Sequence, residues 1–253
     1  MSAYCEINRG RIHAVVLAQE RARIEAALFE EVRCEPLHAS GRGSVYRFPL
    51  ERGTGVVRRC RRGGLAGPLL KDRYLIHNRP LQEWRVHRYL FERGLSVPEP
   101  LGVLWMRSGA WYSGSIATRE VRGFGIPTLA ERPRETQRPL LERTGALIRR
   151  MHEMGVFHAD LQVENVLVDE DSGNVYLIDF DKARRGTVHS LGRMRNLLRF
   201  RRSCTKRGLP AFVFEYVCRG YGIGSFPRWL DWIYRAKGVA SDFMKRDQRT
   251  NDV

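Results

Sequence analysis

His158-Ala-Asp160-Leu-Gln-Val-Glu-Asn165, followed by Ile178-Asp179-Phe180-Asp181, is the stretch that decides the fold. Ahead of it, Pro139 is expected to open a helix with Leu140, Leu141, Thr144, Leu147, Ile148 and Met151 at spacings of three and four, closed by Gly155. Between its two halves, Val166–Val168 and Val175–Ile178 read as short strands around the turn that begins at Asp169 and contains Gly173. The chain thus carries one carboxylate on the loop leaving a helix, an amide five residues on, and a second carboxylate at the end of the next hairpin. Phosphoryl transfer to a hydroxyl needs such a set: a base beside the hydroxyl, and oxygen ligands for a metal ion bridging the nucleotide phosphates. Asp160 is the candidate catalytic carboxylate. Asn165 and Asp179 are candidate metal ligands, and Asp181 is a further ligand or a support for one. His158 suits a brace for the loop better than a proton carrier.

The His-x-Asp-Leu-x-x-x-Asn spacing is that of a kinase catalytic loop. The first half of the chain agrees with it. Gly41-Arg-Gly43 precedes a β-prone run, Val45 to Phe48, and suits a backbone cover for phosphates, although the third glycine of the kinase pattern is missing. A dinucleotide fingerprint would need a helix next, and a Walker loop a Gly-Lys-Ser/Thr ending. Gly55-Val-Val-Arg58 stands where kinases carry a strand lysine, so Arg58 is the candidate phosphate clamp, with Arg59 one register step away. Pro80 to Gly94 reads as a helix, which makes Glu83 the candidate partner of that cation. Residues 18–33, 190–202 and 226–236 are further expected helices, and 101–106 and 111–121 further strands. Arg119, Glu120 and Val121 fall where a backbone hinge would meet the nucleotide base.

These elements predict an α+β, bilobal, protein-kinase-like fold. Residues 1–121 form an N-terminal extension and an antiparallel-sheet N-lobe, and 122–253 a mainly helical C-lobe. ATP and Mg²⁺ are the cofactors such a site takes.

The 253 residues include 44 Lys and Arg against 28 Asp and Glu, a net charge of +16 that favours polyanionic partners. Residues 184–207 hold nine Lys and Arg and no acidic residue. With Leu191, Met194, Leu197 and Leu198 interleaved, that stretch can lie on anionic lipid or hold phosphates of a substrate. Phe226, Trp229, Trp232 and Tyr234 read as core or as an interface anchor. No RNA- or DNA-binding motif accompanies the charge, so nucleic acid is not expected as a partner, and no obligate protein partner is expected either. The five cysteines have no close pairing, which suits reduced thiols in the cytoplasm. No signal peptide and no apolar run near ~20 residues is present, so any membrane association is expected to be peripheral.

On these residues the chain resembles the 3-deoxy-D-manno-octulosonic acid (Kdo) kinases, a lipopolysaccharide-core family with a eukaryotic-kinase-like fold. Gly41-Arg-Gly43, Val56 to Leu65, Lys71 to Leu75, His158 to Leu161 with Asn165, Tyr176 to Asp181 and the Arg-Asn-Leu-x-Arg segment at 195–199 carry the likeness. The resemblance implies phosphorylation of the 4-hydroxyl of Kdo on a lipid A precursor, at the cytoplasmic face of the bacterial inner membrane. It also implies an arginine at the strand position of Arg58. Gln162-Val163-Glu164 departs from the family's Asn-Ala-His, and Lys182-Ala183 from its Arg-Gly. Two other readings share the constellation: a kinase for another hydroxyl, such as heptose or a small molecule, and a pseudokinase that binds without turnover.

Overall fold

The computed structural model describes residues 3–29, 35–37, 45–60, 74–75, 78–109 and 111–224. Gly41, Gly43, the Arg-Gly stretch after Cys60, and Phe226, Trp229, Trp232 and Tyr234 lie outside the described residues, as does the expected helix 226–236.

Two lobes follow one another along the chain. In the first, β1 (Tyr4–Arg9) and β2 (Ile12–Leu17) form a hairpin about Gly10, whose φ of 60° is the left-handed conformation a tight turn demands. After a single 3-10 turn comes α1 (Arg21–Phe29), and then β3 (Glu35–Leu37), β4 (Val45–Pro49), β5 (Thr54–Arg59) and β6 (Tyr74–Leu75). Helix α2 (Arg79–Glu92) starts with Asn78 Oδ1 accepting the Leu81 N–H at 3.2 Å and Pro80 in its first turn. Strands β7 (Pro100–Ser108) and β8 (Trp111–Arg119) complete an antiparallel sheet in the order β1-β2-β7-β8-β5-β4-β3, with β6 paired to β8. Ile7, Val16, Leu17, Ile24, Phe48, Val57 and Leu101 make one core under this sheet.

The second lobe opens with β9 (Gly123–Gly125) and the short α3 (Ile126–Leu129), then α4 (Arg134–Glu153) and β10 (Val156–Phe157). The hairpin of β11 (Val166–Asp169) and β12 (Val175–Leu177) pairs Val166 with Leu177, and β9 adds to its edge. After β13 (Arg184–Arg185) come α5 (Ser190–Lys206) and α6 (Ala211–Tyr221). The larger core lies here, and Val86 and Leu90 of α2 belong to it, so that helix ties the lobes together. Each fully buried Leu or Ile in this core contributes about 1.5–3 kcal/mol.

Four points differ from the elements expected. Helix α4 begins at Arg134, not at Pro139. The N–H groups of Thr136 and Gln137 already bond to the Pro133 carbonyl at 3.0 and 3.1 Å, so the turn exists before Pro139, which sits within the helix near its start. The N-terminal hairpin of β1 and β2 is not among the expected elements. Of the expected helix 18–33, residues 18–20 form a 3-10 turn and α1 starts at Arg21, while 30–33 lie outside the described residues. Helix α6, absent from the sequence reading, buries Val213, Phe214, Val217, Cys218 and Tyr221. Cys5, Cys60, Cys204 and Cys218 are all free thiols.

Candidate active site

Between the lobes lies a cleft of about 1170 Å³, lined among others by Arg58, Asp160, Asp179 and Asp181. Strand β5 delivers Arg58, and its guanidinium forms an ion pair with Glu83 of α2. The same guanidinium reaches Asp179 Oδ1 at 3.3 Å, and Arg79 reaches Asp181 at 3.3 Å. Arg58 therefore links strand, helix and the carboxylate after the hairpin. Glu83 is 5% exposed, and burial pushes its carboxyl up to about 7 against the pull of Arg58. In return Glu83 holds the Arg58 guanidinium firmly in its charged form. Arg59 is exposed on the other side of the strand, which decides the register in favour of Arg58 as the residue on the cleft.

The catalytic-loop segment is fixed by its own polar atoms. His158 is fully buried; its Nδ1 accepts the Asp160 N–H at 3.2 Å and its Nε2 donates to the Ile178 carbonyl at 3.1 Å. Asn165 Nδ2 donates to the Asp160 carbonyl at 2.7 Å, which commits the amide nitrogen and leaves Oδ1 available as an acceptor. The Ile178 N–H bonds to the Asn165 carbonyl at 3.0 Å, tying the segment that carries Asp179 to the same loop. Gln162 Nε2 donates to Asp160 Oδ1 at 2.6 Å. Asp179 has φ 61°, a left-handed conformation that aspartate tolerates better than most residues.

The Asp179 and Asp181 carboxylates line the cleft, whereas Asn165 is not among the residues lining it and is tied to it through the Asp160 carbonyl; all three offer hard oxygen donors, the chemistry that suits a cation held partly by phosphate oxygens. No group of three or more His, Cys, Asp or Glu among the described residues would cage a metal by itself. Glu120 and Val121 are not among the described residues lining the cleft. The Glu120 N–H is bonded to the Thr54 carbonyl at 2.8 Å and its carboxylate to Arg47.

Sequence reasoning missed the support beneath the loop. Asn196 of α5, fully buried, accepts the His158 N–H at 3.2 Å and donates to the His158 carbonyl at 2.7 Å. His152 of α4 joins it, with Nε2 at 2.9 Å from Asn196 Oδ1 and Nδ1 at 2.8 Å from the Tyr221 hydroxyl. Phe180 packs between His87 of α2 and His158, with ring centroids 5.4 and 5.1 Å away. Their local sequence carries no signal of this, because a polar residue on a helix reads the same whether buried or solvated.

Those three histidines predict acid sensitivity. Burial depresses His87 and His152 to about 4 and lowers His158 as well. Their folded pKa lies below the unfolded value near 6.5, so the unfolded chain binds more protons between those limits, and stability falls as pH drops through that window. By pH 5, His87 and His152 each cost about 2 kcal/mol at roughly 1.4 kcal/mol per pH unit. Urea unfolding at pH 7.5 and pH 5 checks this; equal midpoints would contradict neutral buried imidazoles.

Comparison with known proteins agrees with the geometry. The sequence model of the "Lipopolysaccharide kinase (Kdo/WaaP) family" matches residues 29–221. A 3-deoxy-D-manno-octulosonic acid kinase of Xylella fastidiosa (strain M23) is 33% identical over 239 residues, covering 88% of this chain and 94% of the relative. A 3-deoxy-D-manno-octulosonic acid kinase of Stenotrophomonas maltophilia (strain R551-3) is 37% identical over 212 residues, covering 80% and 84%. Among solved structures, an aminoglycoside-3'-phosphotransferase of type VIII superposes with a TM-score of 0.53 at 19% identity, over 81% of this chain and 92% of that one. That likeness establishes the bilobal protein-kinase-like fold.

Proposed function

Because the chain belongs to the lipopolysaccharide kinase (Kdo/WaaP) family and is an ATP-dependent phosphotransferase, we propose that it phosphorylates the 4-hydroxyl of Kdo on a lipid A precursor. The observation that carries this reading is the single cleft shared by Arg58, Asp160 and Asp179.

Asp160 orients the acceptor hydroxyl and takes its proton, with Gln162 holding one carboxylate oxygen in place. Arg58, fixed by Glu83, holds the nucleotide phosphates through its planar fork. Gly41 and Gly43, which lie outside the described residues, are the sequence's candidates for backbone cover of the phosphates, and Glu120 and Val121 its candidates for the hinge. Asn165 and Asp179 are the residues that would hold Mg²⁺, which would neutralise charge on the nucleotide phosphates. The residues contribute mainly positioning and preorganised charge, which is the larger part of catalysis in phosphoryl transfer.

The enzyme works peripherally at the cytoplasmic face of the inner membrane. The +16 charge supports attraction to an anionic leaflet, and Leu191, 78% exposed at the start of the basic α5, supports a shallow apolar contact. No described helix is long and apolar enough to cross a membrane.

Incubation with ATP, Mg²⁺ and Kdo-bearing lipid A precursor tests the reading, with mass spectrometry locating the new phosphate. Phosphate on the Kdo 4-hydroxyl is the expected result. Transfer only to a heptose-bearing glycolipid or a small sugar would replace the acceptor. Mg²⁺-dependent ATP binding without transfer to any of these would make the chain a binding module.

A further inference from the structure

The cleft that holds Arg58, Asp160 and Asp179 has a second wall, formed by the segment 184–189 and the first turns of α5. On that wall Arg199 places Nη1 3.6 Å from Asp160 Oδ1, and Arg195 stands one helical turn earlier on the same face. The opposite face of α5 is committed to the core through Asn196, Leu197, Phe200, Ser203 and Cys204. The helix therefore presents two adjacent guanidiniums into the cleft, beside the carboxylate that meets the acceptor.

Lys182 and Arg184 also line the cleft, but from outside α5, and three other cations of this region have structural occupations. Arg193 donates to the Val188 carbonyl at 3.0 Å, Arg185 lies over the Tyr89 ring at 3.8 Å, and Arg207 pairs with Glu164. Arg195 has no carboxylate partner among the described residues, and Asp160 is the one carboxylate paired with Arg199 there. That pair is 37% and 43% exposed, so it adds little to folding. A lipid headgroup does not explain these two arginines either, because they line the cleft with Asp160.

We propose that Arg195 and Arg199 form an anion subsite for the acceptor: they hold a carboxylate or phosphate of the acceptor and so present its neighbouring hydroxyl to Asp160. The proposal rests on the reading of the chain as a kinase for a Kdo-bearing glycolipid. Paired guanidiniums suit a planar carboxylate or a phosphate, which each can grip with two parallel hydrogen bonds. Because Arg199 touches Asp160, the anion it grips lies next to the reacting hydroxyl. A neutral sugar lacks that handle, and a cationic one is repelled.

Steady-state kinetics with ATP, Mg²⁺ and Kdo-bearing lipid A precursor test this in the full chain. Arg199→Gln and Arg195→Gln are expected to raise the acceptor KM by about tenfold to a hundredfold, the usual worth of a charged hydrogen bond. Arg199→Lys is expected to recover part of the loss, and ATP affinity, read by titration calorimetry, to stay within about twofold, which general damage to the fold would not allow. Two altered acceptors identify the anion. One has the Kdo carboxylate esterified and the other lacks the lipid A phosphates. On the acceptor that lacks the relevant anion, the unmodified enzyme shows the raised KM and Arg199→Gln adds nothing further. Acceptor KM values unchanged in both Gln variants overturn the subsite while leaving the kinase reading intact. So does an equal rise on charged and neutralised acceptors. An unmodified enzyme that transfers nothing to this acceptor overturns the acceptor reading and the subsite together.

Discussion

Asp160→Asn is expected to lower the rate of phosphoryl transfer to the Kdo acceptor by about 10²- to 10⁴-fold, with folding and ATP binding retained. The asparagine has the same shape but cannot take the hydroxyl proton. The loop does not depend on the carboxylate for its geometry. The Asp160 N–H is held by His158 and its carbonyl by Asn165, both through the backbone. The side chain is 43% exposed, so no buried charge is left stranded by the change. Gln162 can turn its amide to meet the new side chain, keeping that contact. The loss therefore belongs in kcat rather than in nucleotide affinity, and the two are separable: kcat from initial rates, ATP affinity from titration calorimetry, integrity from thermal melting. Transfer at the parent rate by a folded Asp160→Asn chain would remove Asp160 from the base role. The reading of Arg58 and Asp179 as the phosphate side of the cleft would survive that outcome, because their pairing is independent of Asp160.

The site was readable from sequence because phosphoryl transfer fixes residue types at fixed spacings on consecutive elements. Asp160, Asn165 and Asp179 sit on one loop and hairpin, so local spacing already brings them near each other. Arg58 and Glu83 are 25 residues apart and on different elements, and their pairing was legible only through the kinase pattern of strand and helix. The supports of the loop were not legible. Asn196 reaches His158 from one helix and His152 reaches Asn196 from another, and nothing in their local sequence distinguishes a buried polar clamp from a solvated one. The N-terminal hairpin escaped for a related reason. Its strands are short, and what decides them is the register of β2 against β7, a pairing across some ninety residues of chain. Pro139 misled because proline usually marks a helix start, whereas Pro133 takes that position here.

The second large effect is expected where α4 meets α6. Gly145 and Gly220 face each other's helices so closely that a Cβ at Gly220 would stand 1.8 Å from the Glu142 carbonyl oxygen, and one at Gly145 2.0 Å from the Val217 carbonyl oxygen. In an open helix position, Gly→Ala gains about 0.5–1 kcal/mol from backbone entropy. Here the obstacle in both cases is backbone, which cannot rotate aside as a side chain can, so the helices must separate. Overpacking of this kind costs about 1–3 kcal/mol or more, and it outweighs the entropy gain. Gly220→Ala and Gly145→Ala are each expected to destabilise by about 3 kcal/mol, a fall in Tm of roughly 6–12 °C for a chain of this size. The damage would reach the site, because α6 holds His152 through Tyr221, and His152 supports Asn196 beneath the catalytic loop. Gly192→Ala in α5 is the control. Its nearest obstacles are the Val188 and Phe157 side chains at 3.4 and 3.8 Å, ordinary contact distances, so its Tm should hold or rise slightly. The two damaging substitutions share one seam, and once either has parted the helices the other has less to disrupt. The double variant should therefore lose less than the sum of the single losses. Full additivity, or a Tm for Gly220→Ala equal to that of the unmodified chain, would mean that the two helices do not pack through these glycines.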